Sequence, residues 1–315
     1  MQHIIPDPAA GVLPCPSGLL SPMNIIINLN KPTDMSSQQA VTKVKRLLRA
    51  KKAGHTGTLD PLATGVLLVC LEEATKVSRF LLEMDKQYLV RAKLGERTDT
   101  FDACGVVTQR SEITGVTEAG LKEVVGSFRG EIEQVPPMYS AIKVGGRPLY
   151  SLARKGIEIE RASRKVLIKE LSLTGIDLPY IDLRVSCSKG TYIRTLCDDI
   201  GSRLGTGAHL VSLERERIGP FDVWDSVTLE ELGGRDLAPD GRTVYSIDAA
   251  LSGLDEVILD ERSVAKLQNG VRIEADMMTA IPEDRPLKLK GPDGKLFAIG
   301  RVHAGVICID RNLKL

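Results

Sequence analysis

The sequence predicts an α+β fold: a mixed, largely antiparallel sheet followed by a small β-rich module at the C-terminus. Two observations lead there. Strand-like runs and amphipathic helical periods intermingle without the strict alternation that a doubly wound parallel sheet requires. From about residue 254 onward, short strands and glycine turns dominate. At 315 residues the chain exceeds a typical single domain and accommodates one large unit and one small one. The expected division is an arm over 1–22, a main unit over 23–250 and a C-terminal module over 251–315.

The elements follow in order. Pro6, Pro8, Pro14, Pro16 and Pro22 stand among small residues, so the start reads as a poorly ordered arm ahead of Met23. Asn24 to Leu29, with its consecutive isoleucines, reads as a strand. Ser36 and Gln39 have capping-box spacing, and Val41, Val44, Leu47 and Leu48 recur at helical intervals. That helix is expected to end near Gly54, with Lys51 and Lys52 in its last turn, where the macrodipole favours cations. A tight loop then leads to an apolar strand after Gly65.

Val77, Phe80, Leu81 and Met84 mark a second helix, and Tyr88 to Leu94 alternates as a strand. Leu121, Val124, Val125 and Phe128 give a third helix. Gly145-Gly146 predicts a turn, and Pro148 suits the first position of the short helix after it. Strands near 165–173 and 181–187, a helix carrying Ile193, Leu196 and Ile200, and a strand from Ala208 to Ile218 come next. Asp225 to Asp255 is acidic and loop-rich, a boundary region by composition. Beyond it, Asp260 can cap a short helix ending at Gly270.

Composition narrows the class. Hydrophobic residues at 43% and charged residues at 26% suit a globular protein with a real core. A net charge of +1 does not announce a nucleic-acid binder; only the local pattern decides. The six cysteines form no C-x-x-C pair and only four histidines accompany them, so buried, reduced thiols fit better than a zinc site. No segment reaches transmembrane length and no secretory leader is visible, so a cytoplasmic protein without a membrane partner is expected.

Chemistry concentrates in Gly54-His55-Thr56-Gly57-Thr58-Leu59-Asp60-Pro61. Gly54 and Gly57 permit close approach of backbone to a ligand, and Pro61 limits the freedom of the Asp60 carboxylate. On spacing alone, Asp60 is more often just a turn residue before proline. Lys43, Lys45, Arg46, Arg49, Lys51 and Lys52 feed into this loop. Such a run is by default a solvated face, but phosphate contacts along it would deliver an anionic polymer to the carboxylate.

The stretch Gly54 to Leu67, continued by Glu73-Ala74-Thr75-Lys76, closely resembles the signature of bacterial tRNA pseudouridine-55 synthases, the TruB family. So do Lys86-Gln87-Tyr88, Leu94-Gly95-Glu96-Arg97-Thr98-Asp99-Thr100-Phe101-Asp102-Ala103-Cys104-Gly105, and Val135 to Lys143. Cys187 to Leu196, Lys31-Pro32 and Gly207-Ala208-His209-Leu210 complete a set that runs in family order over about residues 24–220.

The resemblance implies a pseudouridine-synthase-type catalytic domain and a PUA-like RNA-binding module. It implies a flipped uridine at position 55 in the T loop of tRNA as substrate. Isomerisation neither oxidises nor transfers a group away, so no cofactor or metal is expected, and since nothing in the sequence demands a partner subunit, a monomer is expected. It maps the catalytic aspartate to Asp60, the active-site tyrosine to Tyr88 and the arginine that pairs with the aspartate to Arg194. His55 is implied to fill the space left by the extruded base, Tyr192 to border the base pocket and Leu213 to pack on the base. Lys31 and Lys76 match basic positions near the site. In the C-terminal module, Lys288, Lys290, Lys295 and Arg301 suggest a basic surface.

Each residue has a plainer reading: Tyr88 half-buried in a strand, Tyr192 and Arg194 as packing and surface charge, His55 as a turn stabiliser, Leu213 as core. Two rival functions also stand, a non-catalytic RNA-binding or tRNA-folding protein and a synthase that depends on a guide RNA.

Overall fold

The computed structural model describes residues 23–140, 142–234, 238–275 and 281–315; the expected N-terminal arm, with Cys15, lies outside the described residues. The isoleucine run opens β1 (Ile25–Lys31). Ser36 then caps α1 (Ser37–Leu47) with the expected reciprocal box: Ser36 Oγ accepts from Gln39 N at 3.2 Å, and Gln39 Oε1 accepts from Ser36 N at 2.9 Å.

This helix stops earlier than expected. Arg49 turns left-handed at φ +50°, and Ala50 N donates to Lys45 O at 3.0 Å, so Lys45 and Arg46 occupy the last turn, not Lys51 and Lys52. Gly54 and His55, expected in the helix end and loop, instead form β2 (Ala53–His55), drawn off by pairing with Cys70 and Val69 of β3 (Thr64–Leu71). Every residue of β3 from Gly65 to Leu71 is buried, as an unbroken apolar run demands of a strand covered on both faces.

A 3₁₀ turn over Glu72–Val77 continues into α2 (Ser78–Leu82), and β4 (Lys86–Leu94) follows with Tyr88, Val90, Ala92 and Leu94 buried on one face. β5 (Glu96–Thr98) and β6 (Val107–Arg110) bracket a loop; α3 (Glu118–Ser127) and β7 (Gly130–Gln134) come next. β8 (Lys143–Val144) and β9 (Arg147–Pro148) form a hairpin through Gly145 and Gly146, before α4 (Leu149–Ala153), which starts one residue after Pro148. The long β10 (Arg164–Asp177) and β11 (Tyr180–Cys187) lead to α5 (Ile193–Arg203), β12 (Ala208–Ile218) and β13 (Phe221–Asp222).

The segment expected to be a boundary is part of the main sheet. It holds α6 (Leu229–Leu232), β14 (Val244–Ser246) and α7 (Ile247–Ala250), and β14 pairs antiparallel with β1. Its acids outnumber its basic residues, yet Val227, Leu232, Val244, Ile247 and Leu251 are spaced to bury, and they do.

The main sheet runs β14-β1-β3-β12-β4-β11-β10-β7, with β2 added on β3 and β13 on β12. All neighbours are antiparallel except β3 and β12, which touch in parallel only at Thr64↔Glu214 and Gly65↔Arg215. Gly65 is required there: with φ +94°, a Cβ would sit 2.3 Å from the Arg215 carbonyl oxygen. The mixed, largely antiparallel α+β architecture is the one expected from sequence.

A second sheet, in the order β15-β17-β18-β19-β16, comprises β15 (Asp255–Ile258), β16 (Ile273–Glu274), β17 (Leu287–Lys290), β18 (Leu296–His303) and β19 (Val306–Asn312). α8 (Glu261–Gln268) is capped by Asp260 as expected, its carboxylate accepting from Ser263 N at 2.7 Å. Ile26, Val66 and Leu68 share an apolar cluster with Leu296, Ile299 and Leu313, so the second sheet packs on the first. Each such side chain, fully buried, contributes about 1.5–3 kcal/mol.

Two surface expectations fail. Lys288 and Lys290 do not form a basic face: each pairs with both Asp248 and Glu256 at 2.8–2.9 Å, and Lys288 is only 5% exposed. Arg301 is held by Asp310 at 2.7 Å and Lys295 by Asp293 at 3.0 Å. Of the cysteines, Cys70, Cys187 and Cys197 are buried thiols, but Cys104 is exposed, because it sits in the β5–β6 loop rather than in an apolar run.

Candidate active site

The loop between β2 and β3 is fixed before it presents any chemistry. Ser37, in the first turn of α1, accepts from Leu59 N at 2.8 Å and donates to Leu59 O at 3.0 Å. On the other side of Asp60, Lys31 Nζ reaches Pro61 O at 3.4 Å while donating to Pro32 O and Met35 O at 2.7 and 2.6 Å. Arg215, on β12 and fully buried, donates to Gly57 O at 3.2 Å and to Val66 O at 2.7 Å. Asp60 thus projects from a turn whose flanking residues are each tied to a different element.

Its carboxylate meets Arg194, the second residue of α5. Arg194 Nη2 donates to Asp60 Oδ1 at 3.1 Å, and Nε lies 2.8 Å from Oδ2 as an ion-pair contact. The same guanidinium serves three further acceptors: Thr100 O at 3.1 Å, Asp102 Oδ2 at 3.3 Å and Tyr139 O at 2.8 Å. At 4% exposure Arg194 is a buried hub shared by two carboxylates, of which Asp60 remains the more open, its side chain 31% exposed. Burial raises the Asp60 pKa above the ordinary carboxylate value and the Asp102 charge adds to the rise, whereas Arg194 and Lys31 pull it down. Burial likewise pulls the Lys31 ammonium down to about 8, with Asp60 opposing.

Tyr88 lies on β4 opposite Arg215 and Val185, and burial pushes its phenol up to about 12. It is therefore a protonated hydroxyl on a hydrophobic wall at neutral pH. Tyr192 is the residue before α5; Gln134 grips its backbone, accepting from its N at 3.0 Å and donating to its O at 3.3 Å. Its side chain is half-buried, and burial raises its pKa. His55 sits in β2, where burial and the nearby Arg215 charge keep its imidazole neutral by lowering its pKa. Leu213, 6% exposed, packs in the cluster of Leu59, Tyr88 and Val90 and also lines an open cleft of about 580 Å³ with Leu62, Thr64, Arg91 and Asp182.

The structure therefore ties Asp60 to Arg194 directly and to Lys31 through Pro61 and charge. Tyr88 and Leu213 share one apolar cluster with Leu59. Lys76 is elsewhere: it pairs with Glu73 at 2.7 Å and donates to Asn312 O at 2.9 Å, at the seam with the second sheet. Three residues were not singled out from sequence. Asp102 lies inside a family-like run and Arg215 inside the expected strand from Ala208 to Ile218, but nothing in their spacing reveals a buried carboxylate on Arg194 or a buried cation beneath Gly57. Ser37 carries no sequence signal beyond its place after the Ser36 cap. Among the described residues, no group of three or more His, Cys, Asp and Glu side chains is placed to hold a metal ion.

Chemically, the site offers a carboxylate held in position by a buried guanidinium, beside a protonated phenol and an apolar floor. That suits an ionised oxygen attacking or stabilising an electrophilic centre.

Two family models match the chain: TruB family pseudouridylate synthase (N terminal domain) over residues 45–193, and tRNA pseudouridylate synthase B C-terminal domain over residues 194–259. The chain is 42% identical over 281 residues to tRNA pseudouridine synthase B of Clostridium acetobutylicum, covering 89% of this chain and 96% of that one. It is 44% identical over 297 residues to the protein of the same name from Cupriavidus metallidurans, covering 92% and 94%. Among solved structures, a chain in the crystal structure of a Cbf5-Nop10-Gar1 complex superposes with a TM-score of 0.70 at 27% identity, over 92% of this chain and 85% of that one.

Proposed function

The chain belongs to the TruB family of pseudouridine synthases, and from that premise we propose that Asp60 is its catalytic carboxylate and that its target is uridine 55 in the T loop of tRNA. The protein is an isomerase that converts uridine in tRNA to pseudouridine. The reaction breaks the C1′–N1 bond, turns the base and joins C1′ to C5. Nothing is oxidised and no group is gained or lost, so the chemistry itself requires no redox cofactor.

The observation that carries the assignment is the Arg194–Asp60 contact, 3.1 Å from Nη2 to Oδ1, inside a hub that is otherwise buried. Binding RNA needs no carboxylate aimed this way; attack on the base or on the sugar does. The target base has to leave its stack at a cost of a few kcal/mol, and aromatic walls return on the order of 1–3 kcal/mol per base. Tyr88, Tyr192 and Leu213 cage the detached base while it turns, and neutral His55 takes the space it vacates. Lys31 steadies the catalytic turn; Lys76 contributes only long-range attraction for phosphates.

Residues 23–250 act as the synthase unit and 251–315 as a PUA-like RNA-binding module, in a cytoplasmic monomer without a metal. No helix among the described residues is long and apolar enough to cross a membrane. Asp60→Asn and Asp60→Ala are expected to abolish pseudouridine formation while tRNA binding persists; primer extension after carbodiimide treatment reads the product. Normal turnover by either variant would refute the assignment.

The likeness to a chain solved in a complex favours one alternative, a synthase that works only with partners. Activity of the purified chain on a tRNA transcript, with no other RNA or protein, would exclude it, and inactivity there would support it.

A further inference from the structure

We propose that the ion pair between Arg97 and Asp198 is a positioning device for the reaction, fixing the loop that carries Thr100 and Asp102 to Arg194. The inference rests on Asp60 being the reacting carboxylate and Arg194 its orienting partner.

Arg97 grips Asp198 with two parallel bonds, Nε to Oδ1 at 2.6 Å and Nη2 to Oδ2 at 2.8 Å. Arg97 belongs to β5, at the start of the loop; Asp198 belongs to α5, four residues after Arg194 and therefore on the same helix face. The loop thus meets α5 at two successive turns. At one, Asp198 takes Arg97; at the other, Arg194 takes Thr100 O at 3.1 Å and Asp102 Oδ2 at 3.3 Å. Neither Arg97 nor Asp198 contacts Asp60, so any effect on the chemistry passes through Arg194.

The loop between these anchors is shaped to need both. Phe101 is held left-handed at φ +63°, which costs a non-glycine residue strain, and the Arg97 guanidinium lies 5.3 Å from the centre of its ring. Leu210 N donates to Phe101 O at 3.0 Å and Ala103 N to Leu210 O at 2.8 Å, pinning the loop to β12. Thr98 Oγ1 donates to Asp102 O at 2.8 Å, and Thr100 Oγ1 to Asp102 Oδ1 at 2.7 Å. Turning Arg97 loose frees the entry to this chain of contacts, leaving Asp102 and Thr100 to follow the loop rather than the helix. The carboxylate end is buried, with the Asp198 side chain 5% exposed against 39% for Arg97, so the acceptor of the pair is fixed inside α5 while the guanidinium reaches it from the surface. A planar fork matched to a carboxylate fixes orientation as well as distance, which a lysine at the same place does not.

The test uses the full chain with Arg97→Lys, and with Arg97→Gln and Asp198→Asn combined so that no buried charge is left unpaired. The single-turnover rate at saturating enzyme, the Kd for unmodified tRNA transcript and the folded fraction at assay temperature are measured together, with Asp60→Asn as control. Expected is a rate lowered by about 10-fold or more, the cost of a sub-ångström misplacement, with Kd within two-fold of the parent and the chain folded. A parental rate in folded Arg97→Lys overturns the proposal. So does a rate loss in either variant that matches its loss of folded protein, since that is what a purely structural pair would give. If the double variant does not fold, Arg97→Lys alone decides. Turnover by Asp60→Asn would instead sink the underlying assignment, whatever the Arg97 variants do.

Discussion

Ser37 Oγ holds both backbone groups of Leu59, accepting its N–H at 2.8 Å and donating to its carbonyl at 3.0 Å. One hydroxyl in the first turn of α1 therefore sets the position of the residue that precedes Asp60. Ser37→Ala removes both bonds and leaves two buried backbone groups unpaired, at a cost of about 1–3 kcal/mol. The expected outcome is a lower denaturation midpoint together with a lower turnover number, the two measured on the same preparation. A loss of stability with full turnover would mean that the loop holds its shape without this anchor.

The acid side of the pH profile reports on Asp60. Its pKa is raised in the folded protein, chiefly by burial; with ionised Asp60 as the proposed reacting group, activity is expected to fall as pH drops through that elevated value. Asp102 adds to the rise through its charge and competes for Arg194. Asp102→Asn removes both effects while the side-chain oxygen can still accept from Cys104 N. The turnover that remains is expected to show an acid limb moved to lower pH. A limb that stays in place would show that a group other than Asp60 controls it.

Tyr88, with a pKa pushed up to about 12, carries its proton throughout the working range. Its hydroxyl can donate or relay a proton but does not stand ready as phenolate. Tyr88→Phe keeps the wall and deletes the hydroxyl, and a role in proton transfer predicts a rate loss of about 10²–10⁴-fold. A loss below about ten-fold, with product still formed, would leave Tyr88 a packing surface only. Single-turnover kinetics with folded protein distinguish these.

Lys288 and Lys290 are consumed by Asp248 and Glu256 and are not free to meet phosphate. Lys288→Met is expected to destabilise the chain by about 1–2 kcal/mol, less than a fully buried pair because Asp248 and Glu256 are 37% and 45% exposed. The affinity for tRNA and its dependence on salt should stay as in the parent. A shallower slope of log affinity against log salt would mean that this lysine does contact the phosphate backbone.

Where the pattern in the sequence was local, it was legible. The period-two alternation of Tyr88, Val90, Ala92 and Leu94 gave β4, and the spacing of Ser36 and Gln39 gave the start of α1. What escaped was decided at a distance. The helix was expected to run to Gly54, but Arg49, a residue with no special liking for left-handed backbone, ends it because β3 pairs with Ala53 to His55. Val244 to Ser246 looked like loop because three residues carry no period; their strand exists only against Ile25 to Ile27, more than two hundred positions earlier. The lysines of the second sheet were counted without the acids of α7 and β15 that face them. At the site, Asp60 and Arg194 could be named as partners from resemblance, but their sharing of Asp102, Thr100 and Tyr139 is a property of the folded arrangement alone.

The apolar cluster common to Ile26, Val66, Leu68, Leu296, Ile299 and Leu313 has a further implication. A fragment cut at residue 250 would lose Leu296, Ile299 and Leu313 from the cluster that covers Ile26 of β1 and Val66 and Leu68 of β3, the strand that follows the Asp60 turn. The terminal sheet is thus no detachable accessory that could be exchanged or lost at will; its Leu296 and Ile299, with Leu313 just beyond it, complete the core on which β1 and β3 rest.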